Sequence, residues 1–292
     1  MRVTAVGDCG IDRYVDVRAD RPGGISLNFA ANARRCFEPD DTVGVLTVLG
    51  DDREAGLVEA AIGTQGLDFQ IVHNSGQTPI QFIDRDEAGE RHFVRYDAGV
   101  LAEHRMNSAD RELLARSDVM IATVFTQIID YFETVARTSS AGLRALDYCN
   151  AGTQDDPLAY VRRFTQGFDV GFVGLGEASG DQLDQIEAIA RDAGKIIVVT
   201  LGARGSVGLS RESRVQCTPM PSVDVVDTTG AGDTFAAGFL SVFARGGPLA
   251  AALVAGTREA SRTVGHMGAF EAELTPWPAN APAAWSALRS GD

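Results

Sequence analysis

Val225-Val226-Asp227-Thr228-Thr229-Gly230-Ala231-Gly232-Asp233-Thr234-Phe235 is the stretch around which the chain is organised. Two β-branched apolar residues lead into an Asp and two Thr. Three small residues, Gly230, Ala231 and Gly232, then open a run from Thr234 to Leu240 that reads as a helix. A small-residue turn at a helix start leaves backbone N–H groups uncovered. Those groups and the helix dipole attract anions, above all phosphate. Asp233 is the odd member. A carboxylate in the first turn suits the dipole, yet it repels a bound phosphate. It is either a structural cap or a base that takes a proton from a phosphate acceptor.

Composition narrows the classes. A chain of 292 residues makes one large α/β domain or two smaller ones, and it is long enough to bury a full core. Its hydrophobic fraction, 45%, is ordinary for a globular protein. No apolar run approaches the roughly 20 residues that span a bilayer, and the N-terminus enters a strand without a signal-peptide pattern. Cys9, Cys36, Cys149 and Cys217 are scattered, with no metal-binding spacing, and read as reduced thiols of a cytoplasmic protein. The net charge of −14 argues against nucleic acid and anionic membranes as partners. A nucleotide stays open, because a helix terminus and Mg²⁺ hold phosphate even in an acidic protein.

The rest of the chain alternates strand and helix. Arg2 to Val6, Val43 to Val48, Val119 to Val124, Leu143 to Tyr148, Phe168 to Val173 and Ile196 to Thr200 read as strands. The last is nearly all β-branched, as expected of a strand covered on both faces. Helices are predicted after Asn28 and over 53–65, 127–137 and 179–193. This order predicts an α/β fold, a doubly wound and mostly parallel sheet with helices on both faces. Ile80 to Asp84 and His92 to Tyr96, around a charged turn, predict a hairpin that projects from the main body. Asp51 and Asp52, at a strand-to-helix turn, read as helix-start residues. Residues 275–284 read as a surface crossing before a short last helix.

The extended string Asp-Thr-Thr-Gly-Ala-Gly-Asp-Thr-Phe-x-x-Gly-Phe resembles the C-terminal signature of the ribokinase-like (PfkB-type) carbohydrate kinases. The resemblance covers about residues 2–270, with the signatures in the family's order. It implies a single kinase domain over 1–292, with a small, reduced β-lid formed by about 12–22 and 78–98. It gives Asp233 the role of catalytic base and makes Gly230, Ala231 and Gly232 the anion hole. Asp12, with Pro22-Gly23-Gly24-Ile25-Ser26-Leu27-Asn28, resembles the sugar-binding signature: Asp12 and Asn28 would hold hydroxyls while Gly23 and Gly24 let backbone approach. Arg95 and Tyr96 either reach the substrate from the lid or lie on an exposed strand face. Thr200-Leu201-Gly202-Ala203-Arg204-Gly205 resembles the nucleotide-side Thr-Leu-Gly-x-x-Gly. Gly256, Thr257 and His266 fall in the segment that borders adenine, although a His there also serves as a helix cap. Glu177 matches the Glu of the family's Asn-x-x-Glu, and the resemblance implies that it places Mg²⁺ through water; Gly174 stands where the Asn would be. Asp227 either sits by a monovalent cation such as K⁺ or only braces the motif turn.

The implied reaction is transfer of the ATP γ-phosphoryl group to a primary hydroxyl of a sugar or sugar adduct. No GxxxxGK[ST] loop and no HRD/DFG set competes with it. Within the family the chain is most similar to fructoselysine 6-kinases, on Gly7-Asp8 with Asp12 and Tyr14, the short path to Gly23-Gly24, Tyr96 with Gly99-Val100, and Gly256-Thr257 through Gly268-Ala269. Fructokinase, ribokinase or nucleoside kinase is the alternative enzyme. A non-catalytic sugar or nucleotide sensor is the alternative class, which would have no use for Asp233. The expected partners are a small-molecule sugar and ATP, with a homodimer as the candidate assembly.

Overall fold

The structure is a computed structural model and describes residues 1–85, 91–150, 158–176, 180–220 and 224–288. In chain order its strands are β1 (Arg2–Val6), β2 (Gly10–Tyr14), β3 (Ala19–Gly23), β4 (Thr42–Leu49), β5 (Asp68–His73), β6 (Ile80–Arg85), β7 (Arg91–Asp97), β8 (Val119–Thr123), β9 (Leu143–Asn150), β10 (Val170–Gly174), β11 (Ile196–Thr200), β12 (Ser206–Leu209), β13 (Arg214–Cys217) and β14 (Thr275–Pro276). The α-helices are α1 (Ile25–Cys36), α2 (Arg53–Thr64), α3 (Ser108–Ala115), α4 (Ile129–Ala136), α5 (Ala159–Phe164), α6 (Gly180–Ala193), α7 (Ala231–Phe243), α8 (Leu249–Thr263) and α9 (Ala283–Ser286).

Nine strands form one sheet in the order β13-β12-β11-β10-β9-β8-β1-β4-β5. From β11 to β5 neighbouring strands are parallel, and β12 and β13 close one edge antiparallel. Side chains along a strand alternate between faces, and both faces here are apolar. In β8, Val119 and Ile121 join the core under α1, α2, α7 and α8, while Met120 and Ala122 join the core under α3 to α6. In β11, Val198 goes to the first core and Ile197 and Val199 to the second. Burial on both faces explains why these strands read as unbroken apolar runs. Among the described residues no helix is long and apolar enough to cross a membrane.

A second, smaller sheet runs β14-β3-β2-β6-β7. It contains the predicted hairpin, β6 with β7, and a second short one, β2 with β3, over the 12–22 segment that the resemblance assigns to the lid. The supposed surface crossing also lends it β14, paired with Ala19 and Asp20. Alternation fails as a signal here because β2 and β3 are buried throughout, charged residues included. Arg13 is wholly enclosed and bonds both carboxylate oxygens of Asp20, at 2.7 and 3.0 Å. Asp52 caps α2, taking the Ala55 N–H at 3.0 Å, as a helix-start residue should.

The large sheet changes winding direction at β1. From β1 the chain returns through α1, on one face, to β4. On the other side of β1 lies β8, reached through α3 on the opposite face. Oppositely directed crossovers leave a crevice at the carboxyl ends of β1, β8 and β9, where open α/β sheets bind ligands.

Candidate active site

The start of α7, where the anion hole is expected, is built by two neighbouring turns that lock each other. Gly230 precedes α7 in the left-handed region, at φ 71°, and a Cβ there would collide with Ala269. Only glycine meets both demands. Asp227 is the brace. One of its oxygens accepts the Thr229 N–H and hydroxyl, at 2.8 and 2.9 Å, and the other accepts the Gly268 N–H at 2.6 Å. The Val226 and Asp227 amides both donate to the Val264 carbonyl. The motif turn is thus tied to the 264–270 loop. Gly232 differs from Gly230: no atom lies within 4 Å of where its Cβ would be. The first turn of α7 therefore faces free space at the point where its amides are exposed.

Asp233 lies at that turn, buried, and its Oδ2 accepts the Asn28 side-chain N–H at 2.9 Å. Asn28 comes from α1, whose start is shaped by Gly24 at φ 96°, packed against the Asp8 carbonyl. The two predicted signatures, more than 200 residues apart, meet in this one hydrogen bond. Burial raises the Asp233 carboxyl well above the ordinary carboxylate range. Asp147 adds to it by charge repulsion, the Asn28 bond works against it, and Asp8 and Asp12 contribute further repulsion.

Asp8 and Asp147 were not singled out as site residues from the sequence. Asp8 follows β1 and Asp147 lies in β9, opposite Thr123 in the register with β8. Burial pushes Asp8 up to about 7, with Asp12 adding repulsion and the Ile25 N–H opposing it. Burial pushes Asp147 up to about 6 against one N–H bond from Cys149, at 2.7 Å. Cys149 itself sits at φ 58°, uncommon for a side-chain-bearing residue. Asp147 and Asp233 line one narrow cleft with Ser26 and Thr123.

Where the sugar is expected, Asp12 is buried under Gly23, whose Cβ would lie 2.5 Å from the carboxylate. Asp12, Gly23, Gly24, Asn28 and Asp233 therefore converge. Tyr96 reaches the same region from β7. Its hydroxyl is buried without a hydrogen-bond partner, and Asp8 is the charge that acts on it most. Arg95 is the next residue along the strand and occupies itself elsewhere. It forms a two-bond pair with Asp97, at 2.6 and 2.5 Å, over the Phe82 ring.

On the opposite side, Thr200 ends β11, and Gly202 and Gly205 turn the chain at φ 57° and 89°. Gly256 lies within the α7–α8 contact, where a Cβ would be 2.8 Å from the Phe235 carbonyl. Thr257 is buried beside Cys217, and half-buried His266 follows α8. Glu177 lies outside the described residues. Among the described residues no group of three or more His, Cys, Asp or Glu is arranged to hold a metal.

A doubly wound sheet with an acidic crevice at its switch point, a bare helix start and a buried carboxylate facing it define a small-molecule phosphotransferase. The model of the pfkB family of carbohydrate kinases matches residues 14–276, and the chain belongs to that family. It is 30% identical to a fructoselysine 6-kinase of Escherichia coli (strain K12), over 92% of this chain and 99% of the relative. It is 27% identical to a fructosamine kinase of Bacillus subtilis (strain 168), over 92% and 93%. Among solved structures it is similar to Arabidopsis thaliana ribokinase complexed with ribose and ATP, at TM-score 0.76 and 21% identity, covering 91% of this chain and 93% of that one. The protein is a sugar kinase.

Proposed function

We propose that this enzyme phosphorylates the 6-hydroxyl of a fructosamine, a fructose carrying an amine at C1, with fructoselysine as the type substrate and Mg-ATP as donor. The observation that carries the catalytic part is Asp233, buried at the start of α7 and held by Asn28 of the sugar-side helix. The substrate class is supported by the two relatives named above.

ATP supplies the γ-phosphoryl group when bound, and Thr200, Gly202, Gly205, Gly256, Thr257 and His266 are the residues proposed to border it. Glu177 is proposed to act toward Mg²⁺ through water, and Asp227 keeps its bracing role whether or not K⁺ sits nearby. The amides of Gly230, Ala231 and Gly232 stabilise charge on the group in flight, which the open side of Gly232 leaves room for. Asp12 and Asn28 orient the sugar hydroxyls. Asp233 takes the proton of the attacking hydroxyl, and its raised proton affinity suits a base that works near neutral pH. We place the enzyme in the cytoplasm, where its four free thiols stay reduced.

The test is ADP release measured across fructoselysine, other fructosamines, fructose, ribose and nucleosides, for the wild type and Asp233→Asn. Fructosamines are expected to give the highest kcat/KM. Asp233→Asn is expected to lower kcat by about 10²–10⁴-fold with ATP binding retained. Preference for free fructose, ribose or a nucleoside defeats the substrate assignment. An Asn variant that keeps a tenth of wild-type kcat defeats the base assignment.

A further inference from the structure

The sugar crevice holds more negative charge than its chemistry needs. Phosphoryl transfer to a hydroxyl calls for one base, and hydroxyl recognition calls for one or two further acceptors. Here four buried carboxylates, Asp8, Asp12, Asp147 and Asp233, act on one another, and among the described residues no ion pair reaches Asp8, Asp147 or Asp233. Burying a carboxylate without a counter-charge is costly. Two structural carboxylates elsewhere in the chain are matched by cations: Asp20 by Arg13 and Arg53, and Asp41 by Arg245 and the N-terminus.

Asp8 is the extreme case. Only 4% of it is exposed, and its Oδ1 has no hydrogen-bond partner at all. Its Oδ2 takes a long bond, 3.3 Å, from the Ile25 amide, and the Ser26 amide and its own also act on the carboxylate. Beside it the Tyr96 hydroxyl is also buried and unpartnered. The two do not satisfy each other. An acceptor and a hydroxyl left open together, one from the large sheet and one from the small sheet, describe a ligand that donates to the first and bonds the second. A protonated secondary amine with a hydroxyl on the adjacent carbon has that pattern. A neutral sugar offers only hydroxyl donors and leaves the charge of Asp8 unmatched.

We propose that Asp8 is the specificity-determining residue that binds the protonated nitrogen of the substrate, with the Tyr96 hydroxyl bonding the sugar oxygen next to it. The proposal rests on the fructosamine reading and assigns it to a residue. It also explains why this carboxylate is left unpaired in the free protein: the substrate brings the counter-charge. Asp12, in register with Tyr96 through Gln81 of the intervening β6, keeps the ordinary hydroxyl role.

The experiment compares kcat/KM for fructoselysine, for its ether analogue with oxygen in place of the nitrogen, and for free fructose, in the wild type and Asp8→Asn. Charge-assisted hydrogen bonds are roughly twice as strong as neutral ones. Asp8→Asn is expected to lower the ratio of kcat/KM for fructoselysine over fructose by about 10–100-fold. An equal loss on both sugars overturns the proposal while the fructosamine reading stands. A wild type that prefers fructose defeats that reading and this proposal with it. If Asp8→Asn fails to fold, the wild type alone decides: the ether analogue is expected to be at least about tenfold worse than fructoselysine, and parity between them overturns the assignment.

Discussion

Asp147 shows what a single carboxyl contributes without touching a transferred atom. Its ordinary pKa of 3.8 rises to about 6 by burial. Between those values the folded state keeps a proton that the unfolded chain has lost. Stability contributed by this group therefore falls as pH rises from about 4 to 6, and the full penalty persists above 6. Asp147→Asn removes the penalty and keeps an oxygen for the Cys149 N–H. The variant is expected to be more stable than wild type at pH 8 by about 1–3 kcal/mol, and equal to it below pH 4, in urea titrations. The same substitution removes the largest charge repulsion acting on Asp233. Asp233 then loses its proton more readily, and the acidic limb of the pH–kcat profile moves to lower pH. Asp8, Asp12 and the Asn28 bond remain around Asp233 and set the residual position of that limb. An unmoved limb would mean that Asp147 is decoupled from the base.

At the scale of elements, the start of α7 separates two glycines that the sequence presents as equivalent. Gly230 carries a backbone that side chains resist and is pressed by Ala269; Gly232 has neither constraint. Gly230→Val is expected to destabilise the motif turn by roughly 2 kcal/mol or more, seen as a lowered Tm. Gly232→Val is expected to leave Tm within about 2 °C, a change of under ~0.5 kcal/mol, while lowering kcat/KM for ATP by at least about tenfold through crowding of the phosphate position. Equal thermal losses in the two variants would show that the open face of Gly232 is not the anion site. The motif turn and helix start were legible because such a turn needs several special residues in a row. The large sheet was legible for a related reason, since doubly covered strands stay apolar along their length. Asp8 and Asp147 were not legible as site residues. Each is a lone acid at a strand end, and only the parallel register of β1, β8 and β9 brings them to Asp233. The two strands of the β2–β3 hairpin were not legible one by one, because its charged residues are buried, Arg13 against Asp20, which erases the alternation that marks a strand.

Across the whole molecule, the proposed function needs the small sheet, which carries Asp12, held in a fixed place, and Arg13 is where the parts are pinned. It springs from β2 and bonds Asp20 on β3, so it ties the hairpin to itself. Its Nη2 also bonds Glu54 at 2.5 Å, on α2 of the main body. Its guanidinium lies 3.5 Å above the Trp285 ring, so the C-terminal segment closes over the same group. Arg53 extends the network from α2 to Asp20 and to the Pro276 carbonyl of β14. One planar cation thus joins four parts of the chain through a fork of hydrogen bonds and one stacked face, a geometry lysine cannot reproduce. Removing it leaves Asp20, which is fully enclosed, with only the partly exposed Arg53 as partner. Arg13→Met is expected to lower stability by about 3–5 kcal/mol. Arg13→Lys keeps the charge, loses the fork, and is expected to fold. Its KM for the sugar should rise several-fold more than its KM for ATP, because Asp12 shares β2 with Arg13 while the proposed anion hole stands on α7. Equal changes in both KM values would place the weakness in the main body and not in the seating of the small sheet.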